Sequence, residues 1–467
     1  MTAAFLDTPQ DTLNATKPVD DLAWVRSELV YERMAEMSPS YKIEPILYTS
    51  ATHNAAGTQW TFTLNPRAKF ANGEEVEGSD VLATLAADQG QDSTQTLTMI
   101  DLKKSTASGK TIHFVLSAPT ADLPFDFAMS PFVVLPHGKG STNPATMNGS
   151  GPYKVVQFVP GERSVLERRS DYWDGDKRGM AKKIVLIGVA DPSARMRALL
   201  SHQVDLAGNV NLSDAATDAD KSSVALHKSV SPESMDLILN AKIAPFNNVK
   251  VRQAFRLAVN RTQLASVALS GIGKPGNDVW GAGFPGYDKS LPQRAQNIAQ
   301  AKKLLAEAGR SHVSFTVYAP ADGGPLTEGT LLIAQQVKAA GFDMTVKQLS
   351  EAQYDGEAQE WTSWQGVAFS LGYPFETTAP FFYEPGAPYY FGIGSSAFAS
   401  TFNEALATFS AAKKQQLLDS LQKQLWETGS DVLWGLAPIV IASNPDVVGL
   451  NQIADYNYPD LTNVYVK

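Results

Sequence analysis

The chain has 467 residues, 43% of them apolar, with ordinary Gly and Pro usage, which describes a folded globular protein too long for one core. Its net charge of −9 argues against nucleic acid as the main partner, since a phosphate-binding surface carries a basic excess. The absence of cysteine removes disulfides, thiolate catalysis and Cys-ligated zinc together, and no run reaches the roughly 20 apolar residues of a membrane helix.

The opening MTAAFLDTPQ has neither a basic n-region nor an apolar h-region, so no signal peptide is read there. Within 20–36, Trp24, Leu29, Val30 and Met34 recur at helical spacing and place Tyr31 and Glu32 at the end of a first helix. TQWTFTL (58–64) alternates strictly, putting Trp60, Phe62 and Leu64 on one face of a strand. After the Asn72-Gly73 turn a helix starts, with Ser79 or Asp80 as its cap, and TIHFVL (111–116) is a further strand. Residues 125–150 dissolve into Pro, Gly, Ser and Asn and mark a boundary. From 151, two strands flank the turn dipeptide Pro160-Gly161, KKIVLIGV is another, and DPSARMRALL opens a capped helix. Helices are expected at 297–308, 329–340 and 411–428, with Gly309, Gly341 and Gly429 as left-handed caps, and a strand follows Gly341. Such helix–strand alternation belongs to α/β architecture.

Residues 239–261, LNAKIAPFNNVKVRQAFRLAVNR, compress a strand end, a Pro-containing turn and an amphipathic helix. Asn247 or Asn248 caps that helix; Val251, Phe255, Ala258 and Val259 share its apolar face. Arg252, Arg256 and Arg261 fall off that face and read as a solvated basic surface.

The densest functional signal is 361–391, which carries Trp361, Trp364, Phe369, Tyr373, Phe375, Tyr389 and Tyr390 among eleven aromatic rings. Four prolines break it up, so it is neither one helix nor one central strand. Large rings on an irregular segment line a pocket or fill a core, and the pocket reading is preferred. Trp280, in GNDVWGAGFPGY, is a further candidate wall. Removing the Trp364 side chain is accordingly expected to weaken ligand binding with little change in fold. The six histidines form no His-x-x-x-His pair; no metal site, no catalytic residue and no cofactor is assigned.

Four blocks resemble the extracellular solute-binding proteins of ABC importers, family 5 (the dipeptide, oligopeptide and nickel class). They are TQWTFTLNPRAKFANGEEVEGSDV, GSGPYKVVQFVPGERSVLERRSDYWDG, the 239–261 run, and IAQAKKLLAEAG with LLIAQQVKAAGFDMTVKQL. Departures include Asn72, Asn248 and Asn260 for usual aspartates, and Glu77-Gly78 for the usual Thr-Ala. The resemblance implies an α/β, two-lobe periplasmic-binding-protein fold of type II with an extra subdomain inserted in lobe one. Lobe one would comprise 1–40, 150–238 and 445–467, the inserted subdomain 41–149, and lobe two 239–444, with the crossing at Leu237 to Asn240.

The implied function is capture of a small solute in an aromatic-lined interlobe cleft and its delivery to membrane permease subunits, by a monomer and without enzyme chemistry. The chain would then be a mature extracytoplasmic form, periplasmic or lipid-anchored. Ligand contacts are expected from Tyr31, Glu32, Asn240, Trp280, Trp361, Trp364, Phe369, Tyr373, Phe375, Glu376, Tyr389 and Tyr390. Peptide-binding members hold the peptide ammonium with an Asp in the 372–375 region; here there is none, and only Glu376 is close. Two other classes compete: a glycoside hydrolase using Glu376 and Glu384, and a ligand sensor for a membrane kinase.

Overall fold

The computed structural model describes residues 1–88, 97–141, 143–219, 221–229, 232–321, 323–356, 358–450 and 459–467. The chain forms two compact units, Met1–Val230 with Ile439–Lys467, and Ser231–Pro438.

In the first unit, among the described residues, a seven-stranded mixed sheet runs in the order Ala225–Lys228, Val440–Ser443, Leu206–Ala207, Thr2–Phe5, Lys183–Gly188, Arg163–Arg168, Tyr153–Val159. Thr2–Phe5 pairs in parallel with the strands on both its sides, and its Ala3, Ala4 and Phe5 are buried, as a central strand requires. A separate four-stranded antiparallel sheet, Tyr48–His53, Gln59–Leu64, Thr111–Val115 and Thr106–Ser108, carries its own core. There the alternation of 59–64 puts Trp60, Phe62 and Leu64 inside, and Phe62 meets Phe114 and Phe127 edge to face.

Three local expectations change. The first helix is Asp21–Val30, capped by Asp20 through Ala23 N–H, and it stops before Tyr31, whose backbone is already extended. Met34, which extended the helical pattern, packs instead in the core of the four-stranded sheet. The helix Gly78–Ala87 is preceded by Glu77, whose N–H donates to Asp80 Oδ2 at 2.8 Å, so Asp80 sits inside the first turn. A Cβ on Gly78 would lie 2.7 Å from Ile112 Cγ1, which explains the departure to glycine there. Residues 125–150 are not wholly irregular: Leu123–Met129 is helical, because Leu123 and Phe127 anchor one face of it.

The second unit holds a six-stranded sheet in the order Lys274–Pro275, Gly435–Ala437, Glu233–Leu239, Gly366–Leu371, Val313–Pro320, Phe342–Leu349. Glu233–Leu239 pairs with strands on both sides here, so the chain crosses before this strand and not at its end. The return crossing falls between Gly435–Ala437 and Val440–Ser443. Gly341 has the left-handed backbone expected of it (φ 99°), whereas Gly429 is extended (φ −64°, ψ −177°).

The reason for that last difference lies in the helix Val249–Ala258, capped by Asn248. Its apolar face behaves as the spacing predicts, with Phe255 edge to face against Phe246, Phe315 and Phe342. Its arginines do not: Arg252, Arg256 and Arg261 are buried. Arg252 donates to Thr428 O at 2.7 Å and Gly429 O at 3.2 Å, and Arg256 to Leu425 O at 3.0 Å and Glu427 O at 2.8 Å. These carbonyls stand at the C-terminal end of the helix Ala411–Thr428, the negative end of its dipole; Leu425 O also accepts from the Gly429 cap N–H at 2.8 Å. Two guanidinium groups thus cap a second helix, and no left-handed glycine is needed. Arg261 continues the network into the buried pair with Asp278 at 2.5 Å, which Arg294 also joins.

Arg256→Met keeps the stem of the side chain but removes two charge-assisted hydrogen bonds, leaving Leu425 O with only the Gly429 N–H and Glu427 O with only Gln253. We expect a loss of about 2–5 kcal/mol in urea unfolding; unchanged stability would mean the cap contributes nothing.

Candidate functional site

The aromatic run 361–391 folds as a short 3-10 segment ending at Ser363, the central strand Gly366–Leu371, the helix Phe375–Phe382 and an irregular stretch beyond. Pro374 stands immediately before that helix, where its fixed φ costs nothing, and Pro380 lies within it.

Most of the heaviest rings are interior. Trp280 is fully buried, stacks on Phe382 at 5.8 Å and donates from Nε1 to Asp431 Oδ1 at 2.9 Å. Trp361 donates to Tyr354 O at 3.1 Å; Trp364 stacks on Tyr318 with centroids 4.0 Å apart; Phe375 has no exposure. Core filling therefore accounts for Trp280, Trp361, Trp364 and Phe375, and the expectation that Trp364 is dispensable to the fold is corrected. These rings belong to one buried apolar cluster with Phe398, Phe402, Leu418, Leu421 and Leu425 of the flanking helices. Beneath Trp280, burial pushes the carboxyls of Asp236 and Asp431 upward; the neighbouring Asp431 raises Asp236 further, whereas hydrogen bonds from Trp280 and with Asp236 pull Asp431 back down.

Phe369, Tyr373, Glu376, Tyr389 and Tyr390 remain half-buried. Phe369 and Tyr389 each contact both Trp361 and Phe382, so the buried cluster presents two partly open rings. Tyr390 donates its hydroxyl to Gly394 O at 3.2 Å. Glu376 is not an idle carboxylate: Lys414 Nζ stands 2.5 Å from its Oε2. Asn240, wholly buried, donates to Thr362 O at 2.9 Å and Trp364 O at 2.8 Å. It positions the start of the aromatic run against the strand Glu233–Leu239, and a buried amide so engaged is a brace for the segment.

In the first unit, Tyr31 and Glu32 are both about 1% exposed. Glu32 accepts from Tyr172 OH at 2.5 Å and pairs with Arg178 at 3.3 Å. Burial, offset in part by Arg178, pushes the Glu32 carboxyl up to about 7. Both residues lie just beyond their helix, where Tyr31 packs in the core of the seven-stranded sheet. The residues that sequence reasoning missed carry no local motif: Tyr318 and Lys414 come from distant elements, and Tyr354 from the short helix Glu351–Gly356 just before the aromatic run.

Trp364→Ala should cost about 3–5 kcal/mol of stability, as for other buried aromatic truncations. Thermal and urea unfolding check this; a variant as stable as the parent would return Trp364 to the surface.

Comparison with known proteins adds the following. A sequence model described as bacterial extracellular solute-binding proteins, family 5 Middle, matches residues 42–389. The nickel-binding periplasmic protein of Escherichia coli (strain K12) is 29% identical over 297 residues, covering 60% of this chain and 56% of that protein. The glutathione-binding protein GsiB of Escherichia coli O1:K1 / APEC is 23% identical over 476 residues, covering 96% and 91%. Among solved structures, the periplasmic binding protein AgaA from A. tumefaciens R10, in complex with agropinic acid, superposes with a TM-score of 0.79 at 20% identity, covering 100% of this chain and 98% of that one.

Proposed function

Because the chain belongs to the bacterial extracellular solute-binding proteins of family 5, we propose that it captures a small organic solute lacking a free peptide ammonium group and hands it to the permease subunits of an ABC importer. The fold is the α/β type II fold of periplasmic binding proteins. The family is one of binding proteins of transporters, which favours capture and delivery over glycoside hydrolysis or kinase sensing.

The observation that carries the solute class is the Lys414–Glu376 ion pair. A buried ammonium needs a counter-charge. Residues Gly372 to Phe375 provide none, and the neighbouring carboxylate is already neutralised by a lysine. What the aromatic segment does offer is half-buried Phe369, Tyr373, Tyr389 and Tyr390: flat apolar faces with hydroxyl edges. Such surfaces suit uncharged or sugar-like solutes. The cargoes in the relatives' names, nickel, glutathione and agropinic acid, are chemically unlike, so cargo choice rests on each chain's own residues.

Binding works by differential stabilisation: the solute favours the conformation in which it is enclosed, and that form docks on the importer. We place the protein outside the cytoplasm, acting as a monomer; no helix among the described residues is long and apolar enough to cross a membrane.

Isothermal calorimetry with dipeptides and tripeptides, set against uncharged and sugar-like solutes, tests the reading. Peptides should bind weakly or not at all, and micromolar or tighter peptide binding would overturn the proposed solute class.

A further inference from the structure

The first unit contains a carboxylate group with no role in the reading above. Asp7, Asp11 and Asp20 lie between the strand Thr2–Phe5 and the helix Asp21–Val30 and are 6%, 5% and 6% exposed. One oxygen from each lies within 4.8 Å of the others. Arg26 answers Asp11, with contacts of 2.8 and 2.5 Å to its two oxygens. Asp20 Oδ1 caps the helix through Ala23 N–H at 3.0 Å, and its Oδ2 accepts from Thr8 N–H and Oγ1 at 2.9 and 3.0 Å.

Asp7 differs. Its Oδ1 accepts from Thr8 N–H at 2.8 Å, but its Oδ2 is buried without any hydrogen-bond donor. An orphaned carboxylate oxygen in such a place is costly. A Cβ on residue 188 would stand 2.6 Å from that oxygen, and the residue there is glycine. Three carboxyl groups thus face a single guanidinium. Burial, then Asp11 and Asp20, push the Asp7 carboxyl up to about 7.

We propose that Asp7, Asp11 and Asp20 form a site for one hard divalent cation, calcium in preference to magnesium. The donors are all oxygen, which disfavours zinc, nickel and copper. Two oxygens bound to one calcium at about 2.4 Å are at most about 4.8 Å apart, and the three donor oxygens lie within that limit of one another. Magnesium, with bonds of about 2.0–2.1 Å and strict octahedral demands, requires tighter approach. Each carboxylate keeps a lone pair beyond its present hydrogen bonds. The bound ion would tie the end of the central strand Thr2–Phe5 to the cap of the first helix. Arg26, which also reaches Ser164 at 3.0 Å, extends that tie to the strand Arg163–Arg168.

The test uses the full chain stripped with a chelator and titrated with calcium chloride, then separately with magnesium chloride. Calorimetry should find one calcium per chain, with a calcium-dependent rise in Tm and a smaller response to magnesium. Asp7→Asn, which removes uncompensated charge and should fold, ought to weaken calcium binding by at least about tenfold. Asp20→Asn, which retains a capping side chain, is the second variant should the first fail to fold. Two results would overturn the site: no calcium response in the parent protein, which would leave only a proton shared between Asp7 and Asp20, or calcium binding unchanged in a folded variant.

Discussion

The second unit is organised around the contact of Arg252 and Arg256 with the last carbonyls of the helix Ala411–Thr428. Burying a guanidinium is expensive, and burial, partly offset by Asp278 and reinforced by Arg294 and Arg261, draws Arg256 down to about 10, still charged at neutral pH. The expense is offset because each group makes charge-assisted hydrogen bonds to carbonyl oxygens at the negative end of a helix dipole. Geometry then follows from the constraint. The helix Val249–Ala258 must lie against the end of Ala411–Thr428, and Phe255 is thereby fixed among Phe246, Phe315 and Phe342. Arg261 and Asp278 carry the same network toward the segment that bears Trp280.

That fixed frame divides the aromatic-rich stretch into a locked inner layer and a half-buried outer one. Trp280, Trp361 and Trp364 are locked by stacking and by hydrogen bonds from their indole nitrogens or from Asn240. Phe369, Tyr373, Tyr389 and Tyr390 stay half-buried on top of them. Rigid rings lose little entropy when a solute settles on them, so in the proposed reading a packed underlayer would strengthen binding by the outer layer. Helix Ala411–Thr428 contributes a second time, since Lys414 on its first turns neutralises Glu376. One helix is thus capped at its end by arginines and sets the charge of the aromatic segment near its start.

What was legible in the sequence was whatever is decided locally. The alternation of Gln59–Leu64, the Asn248 cap and the left-handed Gly341 depend on neighbours a few residues away, and each stands as read. The family was legible because four blocks recur in order over the chain. The fate of the arginines was not, because Arg256 finds Leu425 and Glu427, which are about 170 positions on. Interior and exposed rings look alike in composition, so Trp364 over Tyr318 could not be told from a pocket wall. The crossing between units moved off Leu237 to Asn240 because strand pairing, invisible to a single segment, assigns Glu233–Leu239 to the second sheet. Asp7, Asp11 and Asp20 likewise share no sequence motif and are brought together only by the fold.

The most direct test of the functional reading is native mass spectrometry of the protein purified without added ligand, followed by identification of whatever is released on denaturation. A single small organic molecule without a free α-ammonium group, bound one to one, is the expected result. Recovery of unblocked peptides as the bound species would contradict it.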